Sequence, residues 1–327
     1  MEKDKKWNIS VVIPSYKVKK HIIDVIQSIG SEVSYIYVVD DCCPDGTGDF
    51  VLQHNTDPRV SVIKHTENQG VGGAVLTGYQ AAIRDKSDVI VKIDGDGQMD
   101  PALIKEFIEP IISGQADYTK GNRFFNLDSL KDMPKMRIFG NAVLSFMTKI
   151  SSGYWSLFDP TNGYTAIRAD VAALLPVGKI SRRYFFESDM LFRLNTLRAA
   201  VIDIPMDAKY GDEVSNLHIK QIIFYFIRKN FINSLKRIFY NYYLRDMSIA
   251  SFELPVGILL IMIGLIVGIP NWIESLETDT YASAGTVMLS GLPLIVGTQF
   301  LLSFIAYDIN SEPKRSIRPK SYSSLTP

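Results

Sequence analysis

The chain has 327 residues, enough for one large domain or for one domain with an appendage. Its 35 basic residues balance its 35 acidic residues, so the overall charge does not indicate a nucleic-acid partner. The two cysteines, Cys42 and Cys43, are adjacent, a spacing typical of neither a disulfide framework nor a metal site, and we expect a reducing compartment. The charged N-terminus leads directly into an apolar run, so we expect no secretory signal peptide.

The first ninety residues alternate strand-like apolar runs with helical patterns. Strands are predicted at 9–13, 35–39, 60–63 and 89–93, and helices at 18–29, at 48–53 and from the glycine-rich segment 68–74 to about residue 84. Polar or glycine-rich residues follow each strand. This order predicts an α/β fold with a doubly wound, mostly parallel sheet, which binds ligands beyond the carboxyl ends of its strands.

The alternation continues less regularly up to about residue 216. Helical patterns cover 101–112 and 128–152, the segment 117–120 leads into Gly121-Asn122-Arg123-Phe124, and a strand follows Tyr164. A helix begins at Asp170, segment 184–191 opens one more, and 201–204 is the last predicted strand.

The fourth predicted strand leads into three oxygen-bearing side chains at alternate positions, Asp94, Asp96 and Gln98. In an extended segment, alternate side chains point to the same side. Carboxylate and amide oxygens suit Mg²⁺ or Mn²⁺, which keeps positions for substrate phosphates. Alone, the stretch could equally be a solvated Asp-Gly turn. Together with the residues that end the other strands, it favours a metal and diphosphate site.

Polar residues also end the first two strands. Pro14 and Tyr16 follow the first, and Asp40 and Asp41 follow the second, where a base and a ribose could lie. Either aspartate could accept hydrogen bonds from a uracil or guanine N–H or from ribose hydroxyls. The segment that begins at Asn68 lacks the spacing of a Walker loop or a dinucleotide fingerprint, so it could be a simple helix start. The combination predicts a nucleoside diphosphate held through a metal.

Beyond residue 216 the chain changes character. Residues 217–247 mix aromatic and basic side chains with a single acid, Asp246, which predicts amphipathic helices in the plane of lipid headgroups. A nucleic-acid-binding arm is the less favoured alternative. Residues 254–273 and 284–307 contain no charged side chain and are long enough to cross a bilayer. Buried helices of a soluble core are the alternative for these two segments.

The charges around the two spans predict an orientation. The segment 271–282 between them carries three acids and no base, whereas the tail after them is basic. The positive-inside rule therefore places both termini and the catalytic domain in the cytoplasm, with two membrane spans. We predict four regions: a catalytic domain at 1–216, juxtamembrane helices at 217–250, a hairpin at 251–309 and a tail at 310–327. The hairpin could also pair copies of the chain in a homo-oligomer.

Four motifs in residues 8–217 resemble those of family 2 glycosyltransferases with a GT-A fold, above all the polyprenyl-phosphate glycosyltransferases, which include dolichyl-phosphate mannose synthases. They are VIPSY at 12–16, VDDCCPDGT at 39–47, NQG at 68–70 and DGDGQ at 94–98. The resemblance implies that Asp94, Asp96 and Gln98 bind a divalent metal. It agrees with the subfamily that carries two membrane spans.

The same resemblance suggests acceptor residues. Gly121-Asn122-Arg123 looks like the family's Gly-Ser-Arg, and Arg137 matches a later arginine, which implies that both arginines hold a lipid phosphate. Asp159, in Asp-Pro-Thr-Asn-Gly-Tyr, is similar to an aspartate that flanks the acceptor. Two departures concern Glu187-Ser188-Asp189, which is more like enzymes that act on sugar hydroxyls, and Asn216, which replaces a family lysine.

We therefore predict a metal-dependent, inverting transfer of a hexose from a UDP- or GDP-sugar to undecaprenyl or dolichyl phosphate. A lipid phosphate has its second ionisation near pH ~6, so it needs no strong base. A sugar hydroxyl on a glycolipid or growing polysaccharide, the main alternative acceptor, would need a carboxylate base, for which Glu187 and Asp159 are candidates. A nucleotidyltransferase and a non-catalytic membrane protein that binds nucleotide sugars are less favoured.

Overall fold

The computed structural model describes residues 7–125, 135–207 and 219–317, without the side chains of 135–139 and 219–223. The described residues form two compact units. One comprises the residues up to Ser234 together with those from Pro313, and the other is Leu235–Glu312. The sequence-based division into four regions stays a prediction.

Seven strands of the described residues form one sheet in the first unit. They are β1 (Ile9–Ser15), β2 (Tyr35–Asp40), β3 (Val60–Lys64), β4 (Val89–Lys92), β5 (Tyr118–Asn122), β6 (Thr165–Arg168) and β7 (Val201–Pro205). Their spatial order is β3-β2-β1-β4-β6-β5-β7. β6 is antiparallel to both neighbours and all other pairs are parallel. The predicted mostly parallel α/β sheet is confirmed.

The central strand β1 shows why the sheet is covered on both faces. All seven of its residues are buried, as expected for a parallel strand packed between two layers of helices. Val12 belongs to one hydrophobic core, whereas Val11 and Ile13 belong to the other. Alternate side chains of one strand therefore enter opposite layers.

Helices of the first unit cover both faces of this sheet. They are α1 (Ile22–Gln27), α2 (Thr47–His54), α3 (Val71–Arg84), α4 (Ile104–Ile112), α5 (Lys135–Ser152), α6 (Ala169–Leu174) and α7 (Phe186–Leu197), with 3₁₀ turns at Pro101–Leu103 before α4 and at Val177–Lys179 before α7. The prediction of a helix over 18–29 is wrong at its ends. Lys17 adopts a left-handed φ of 59°, and the N–H groups of His21 and Ile22 both donate to Val18 O, so the chain turns before the helix begins. Residues 128–134 of the helix predicted at 128–152 lie outside the described residues.

One edge of the sheet collects the strand ends that matter for function. β1, β2, β4 and β5 all end there. Because β6 runs the other way, its first residue, Thr165, pairs with both Lys92 and Lys120. Side chains from five strands can therefore meet at this edge.

The end of the described chain returns to the first unit. The Ser316 hydroxyl donates to the buried Asp117 carboxylate at 2.6 Å, and the Ile317 N–H donates to it at 3.0 Å. The Arg168 guanidinium lies 2.8 Å from the same carboxylate. Asp117 thus holds residues after Pro313 against the sheet.

The second unit is built on a hairpin of two long helices. α8 (Ile219–Phe239) begins in the first unit and continues as a π-helical segment, Tyr240–Arg245, before α9 (Ala250–Thr278) and α10 (Ala284–Asn310). Both α9 and α10 are long and apolar enough to span a membrane. At their crossing, a Cβ on Gly257 would lie 3.0 Å from Gly297 O, so the two backbones are in close contact.

Within the second unit, buried polar side chains join the last turn of α8 and the π-helical segment to this hairpin. The Arg237 guanidinium donates to both carboxylate oxygens of Asp308, at 2.6 and 2.9 Å, and the Tyr242 hydroxyl donates to Asp308 at 2.6 Å. Arg237 and Asp308 are both buried. Buried charges in proteins are paired in this way because isolated ones are costly.

Candidate active site

A cleft of about 740 Å³ lies at the edge where β1, β2 and β4 end. Its walls come from residues 14–18, Asp41, Asn68, Gly70, Val71, Ala74, 94–96, Arg183 and Tyr184. The structure thus brings together six of the residues predicted to bind the nucleotide or metal: Pro14, Tyr16, Asp41, Asn68, Asp94 and Asp96. Asp40 and Gln98 do not line this cleft.

Asp40 is buried at the end of β2 and serves the chain itself. Its carboxylate accepts hydrogen bonds from the Cys43 N–H at 2.7 Å and from the Gly48 N–H at 2.6 Å. These contacts hold the turn after β2 and the start of α2. The structure places Asp40 as a support of the cleft wall.

Asp41 organises the glycine-rich segment. Its carboxylate accepts hydrogen bonds from the Gln69 and Gly70 N–H groups, both at 2.8 Å, and lies 2.8 Å from Nδ1 of His65. The other ring nitrogen of His65 lies 2.9 Å from the Thr77 hydroxyl on α3. Sequence reasoning missed His65, because nothing in its neighbours indicates that β3 ends beside Asp41.

Asp94 and Asp96 are half-buried in the cleft, and Gln98 donates its N–H to Asp96 Oδ1 at 3.0 Å. The described residues contain no cluster of three or more His, Cys, Asp or Glu side chains that could hold a metal. Two carboxylates are nevertheless enough for Mg²⁺ or Mn²⁺, since these ions complete their shells with water and substrate phosphates. The donor set at 94–96 therefore fits such an ion.

Lys92, at the end of β4, is a buried cation that sequence reasoning missed. Its ammonium lies 3.0 Å from Asp94 Oδ1 and 3.5 Å from Glu187 Oε1, and only 1 % of its side chain is exposed. Burial by itself would lower the pKa of Lys92, but the charges of Asp94 and Glu187 outweigh it and raise that pKa above its ordinary value. Lys92 is thus the charged link between two acidic side chains of the site.

Gly163 makes room for this link. A Cβ at this position would collide with the Lys92 ammonium and would lie 2.6 Å from Asp94 Oδ2. Any larger residue would have to displace one of the two charged groups.

A second cavity, of about 350 Å³, adjoins the cleft and shares Val71, Asp94 and Tyr184 with it. Glu187 and Lys92 lie in its wall. Burial raises the pKa of the Glu187 carboxyl, and the charge of Lys92 opposes that effect. A ligand in this cavity would contact the predicted catalytic carboxyl directly.

Arg123 and Asp159 form a two-point ion pair. Nε and Nη2 of Arg123 donate to the Asp159 carboxylate at 2.7 and 3.0 Å. Asp159 is 1 % exposed; burial would raise its pKa, but the hydrogen bonds from Arg123 outweigh burial and hold the pKa below its ordinary value. Asp159 is therefore paired with Arg123 as a carboxylate. Arg137 lies in α5, and its side chain is outside the described residues.

A second buried lysine lies beside this pair. Lys120 Nζ is 4.0 Å from Asp203, whose other oxygen accepts hydrogen bonds from Asn122 Nδ2 at 3.2 Å and from the Phe158 N–H at 2.9 Å. Burial lowers the pKa of Lys120 and raises the pKa of Asp203. The Asp203 carboxylate thus joins the end of β5 to the loop that carries Asp159.

Comparison with known proteins settles the family. Residues 10–175, half of the chain, match the family model described as "Glycosyl transferase family 2". The chain belongs to glycosyl transferase family 2. The predicted family is confirmed, and the protein is a glycosyltransferase.

Curated relatives in this family cover about three fifths of the chain. The UDP-N-acetylglucosamine–dolichyl-phosphate N-acetylglucosaminyltransferase of Methanococcus voltae is 29% identical over 218 residues, which are 62% of this chain and 86% of the relative. The undecaprenyl-phosphate mannosyltransferase of Micrococcus luteus is 30% identical over 202 residues, 61% of this chain and 82% of the relative.

A solved structure agrees on the fold. Glucosyl-3-phosphoglycerate synthase of Mycobacterium tuberculosis, in complex with Mn²⁺, UDP and phosphoglyceric acid, matches with a TM-score of 0.54 and 17% identity. The match covers 71% of this chain and 78% of the synthase. The GT-A fold predicted from the motifs is confirmed for this family 2 glycosyltransferase.

Proposed function

We propose that this glycosyltransferase transfers a hexose from a UDP- or GDP-sugar to a polyprenyl phosphate, with inversion at C1. The observation that carries the proposal is the cleft with Asp94 and Asp96 in its wall, in a chain with two helices suited to span a membrane. The names of the relatives from Methanococcus voltae and Micrococcus luteus, which specify dolichyl and undecaprenyl phosphate, support the acceptor class.

The proposed reaction needs little proton transfer. An anionic oxygen of the lipid phosphate attacks C1 of the hexose, and the bond from C1 to the diphosphate oxygen breaks. The nucleoside diphosphate leaves with the bonding electron pair. Because a phosphate monoester with a second pKa of about 6 is already largely ionised at neutral pH, placement and charge neutralisation dominate the barrier.

The residues after β4 are proposed to neutralise the negative charge that develops on the leaving group. Asp94 and Asp96, with Gln98 as the third predicted ligand, would hold Mg²⁺ or Mn²⁺, which supplies positive charge to the departing diphosphate. The Mn²⁺ and UDP bound by the Mycobacterium tuberculosis synthase support this assignment. Pro14, Tyr16 and Asn68 share the cleft with these acids and are proposed to contact the nucleotide, whereas Asp40 and Asp41 would act by holding the wall.

The acceptor phosphate is proposed to bind Arg123 and Arg137. A guanidinium can bind a phosphate through two hydrogen bonds, and Asp159 fixes the orientation of Arg123. In this assignment Asp159 positions an arginine and does not accept a proton.

Transfer to a sugar hydroxyl is the second candidate, and the position of Glu187 favours it. This carboxyl lines the smaller cavity, where it could act as a general base. The substitution Glu187→Gln separates the two candidates, since loss of a required base typically costs ~10²- to 10⁴-fold in rate. A loss below about tenfold supports the phosphate acceptor.

The membrane arrangement is part of the proposal. Along α8, Phe224, Ile227 and Phe231 form an exposed apolar stripe, with 70, 45 and 62 % of their surfaces exposed. Such a stripe next to basic residues suits the headgroup region of a bilayer. We propose two spans with the catalytic domain and both termini in the cytoplasm; pairing of copies through the hairpin stays a prediction.

The decisive experiment incubates the purified full chain with Mn²⁺, undecaprenyl phosphate and a panel of UDP- and GDP-sugars. We expect a polyprenyl-phosphate hexose by mass spectrometry, and release of nucleoside diphosphate only when the lipid is present. The double variant Asp94→Ala/Asp96→Ala should lose transfer and remain in the membrane fraction. Asp49→Ala removes an exposed carboxylate outside the cleft and is the matched control. Full activity of the double variant would refute the metal assignment.

A further inference from the structure

Segment 181–184 packs against the start of α3. The Gly73 N–H donates to Arg182 O at 3.1 Å. Gly70 has a φ of 86°, and a Cβ on it would lie 2.6 Å from Arg182 O and 2.8 Å from Arg183 Cγ. Gly70 is therefore required by a close approach of two chain segments, whether or not it contacts a ligand.

Several backbone N–H groups of the glycine-rich segment already donate to other parts of the protein, so they are not available to a phosphate. Within the glycine-rich segment, the N–H groups of Gln69 and Gly70 donate to Asp41, and that of Gly73 donates to Arg182 O. A phosphate in the cleft consequently needs cationic side chains in addition to the backbone of this segment.

Two adjacent arginines on the packed segment face different surroundings. Arg182 donates to Gln69 Oε1 at 3.0 Å and does not line the cleft. Arg183 lines the cleft, together with Asp94 and Asp96, and its side chain is exposed. Among the residues that the structure describes, Arg183 has no ion-pair partner within 4.0 Å. Its guanidinium is therefore available to a ligand in the cleft.

The charges of the cleft define what that ligand is. The charged residues of the wall divide into acids, which include Asp94 and Asp96, and two bases, Arg183 and Lys17. A nucleoside diphosphate with a divalent ion matches this division, because the ion suits the carboxylates and the phosphate oxygens suit a planar guanidinium. Arg123, in contrast, already binds Asp159 and does not line this cleft.

We propose that Arg183 binds the diphosphate of the donor nucleotide, and that the glycine-rich start of α3 serves to seat the segment that carries it. The assignment rests on the proposed function, since it takes a nucleotide sugar to be the donor. Arg183 is thus a binding residue of the leaving group, in the same cleft as Asp94 and Asp96.

Calorimetric titration of the purified full chain, in detergent with Mg²⁺, tests this assignment. UDP and GDP are the probes, and UMP and GMP are the monophosphate controls. For Arg183→Gln we expect the Kd of the nucleoside diphosphate that the unaltered protein binds to rise about 10- to 100-fold, as for loss of a hydrogen bond to a charged group. The Kd of the corresponding monophosphate should change less than about threefold, because its single phosphate makes fewer contacts with the guanidinium.

Neighbouring substitutions make the result specific. Arg182→Gln removes the same charge from the same segment and should leave diphosphate affinity within about threefold. Arg183→Lys keeps the charge without the planar fork and should lie between Arg183→Gln and the unaltered protein. Thermal unfolding of each variant identifies any that fails to fold. If Arg183→Gln does not fold, the diphosphate affinity of Arg183→Lys tests the assignment.

Different failures have different readings. Unchanged diphosphate affinity in Arg183→Gln overturns the assignment, and so does an equal loss in Arg182→Gln. A higher KM for undecaprenyl phosphate with unchanged diphosphate affinity also overturns it, since Arg183 would then contact the acceptor. If the unaltered protein binds neither UDP nor GDP, the proposed function itself fails, together with this assignment.

Discussion

The guanidinium of Arg123 donates two hydrogen bonds, 2.7 and 3.0 Å long, to the buried carboxylate of Asp159. Each of these residues was predicted to act on the acceptor, Arg123 as a phosphate ligand and Asp159 as a candidate base. As a pair they form one unit, in which the acid orients the arginine. The following prediction tests this dependence.

Asp159→Ala and Arg123→Ala should each raise the KM for undecaprenyl phosphate about tenfold or more, as expected when a hydrogen bond to a charged group is lost. The KM of the double variant should be no higher than that of the more impaired single variant, because each change removes the same ion pair. Steady-state kinetics with Arg84→Ala, an exposed arginine, as control measure this. Additive losses would contradict a shared role.

The same pair predicts a dependence of stability on pH. Because the folded pKa of Asp159 is depressed, its contribution to stability is present above the ordinary aspartate pKa of about 3.9 and is lost as the pH falls through the lower folded value. Acid unfolding of the Asp159→Asn variant should accordingly show a weaker pH dependence below pH ~4. Urea unfolding at several pH values measures it, and an identical pH dependence in both proteins would count against the ion pair.

Transfer itself should respond to pH through the acceptor. We expect kcat/KM to rise from pH ~5 to ~7 and then level off, as the lipid phosphate takes its second charge. Asp159 adds no ionisation in this range, because its pKa is lowered. The pH dependence of kcat/KM for the Glu187→Gln variant tests this expectation. If the inflection is unchanged, the ionising group is the lipid phosphate. If the inflection disappears, the ionising group is Glu187, which favours a hydroxyl acceptor.

Lys92 should be essential to the stability of the first unit. Lys92→Met leaves Glu187 and Asp94 without their shared cation, and breaking a buried ion pair in this way costs about 3–5 kcal/mol. The double variant Lys92→Met/Glu187→Gln should recover part of that loss, because one unpaired charge is gone. Urea unfolding measures both, with the exposed Lys64→Met as control. A double variant no more stable than Lys92→Met would refute the pairing.

Gly163→Ala should lower transfer, since the added methyl would displace Lys92 or Asp94. We expect at least a tenfold loss of kcat/KM, equivalent to about 1.4 kcal/mol. Gly178→Ala adds the same methyl where nothing lies within 4 Å, and should be neutral. Equal activity of the two variants would show that the close approach at Gly163 is unimportant for catalysis.

The sequence predicts the strands well for a physical reason. Continuous β-branched runs such as 89–91 are buried on both faces, so their pattern is set locally. The reversed direction of β6 depends on its pairing with Lys92 and Lys120, which are far away in the chain. The early start predicted for α1 fails because apolar spacing does not reveal the left-handed turn at Lys17.

In the site, residues that follow a local spacing could be predicted from the sequence, whereas residues positioned by tertiary contacts could not. Asp94 and Asp96 are recognisable because they alternate after a strand, and the structure places both in the cleft. In the sequence, Lys92 resembles any polar residue near a strand end; its role is visible only in the structure, where Glu187 of α7 lies beside it. Arg183 and His65 are likewise positioned by segments distant in sequence, so single-sequence reasoning has no signal for them.

The hydrogen bonds that Ser316 and Ile317 donate to Asp117 affect how a truncated form of this protein should be designed. Residues 235–312 are an insertion whose two flanks belong to the same folded body, and a stop codon after Ser234 would remove the hydrogen bonds that Ser316 and Ile317 donate to the buried Asp117 carboxylate. A soluble version is better made by excising the insertion and splicing its flanks through a linker.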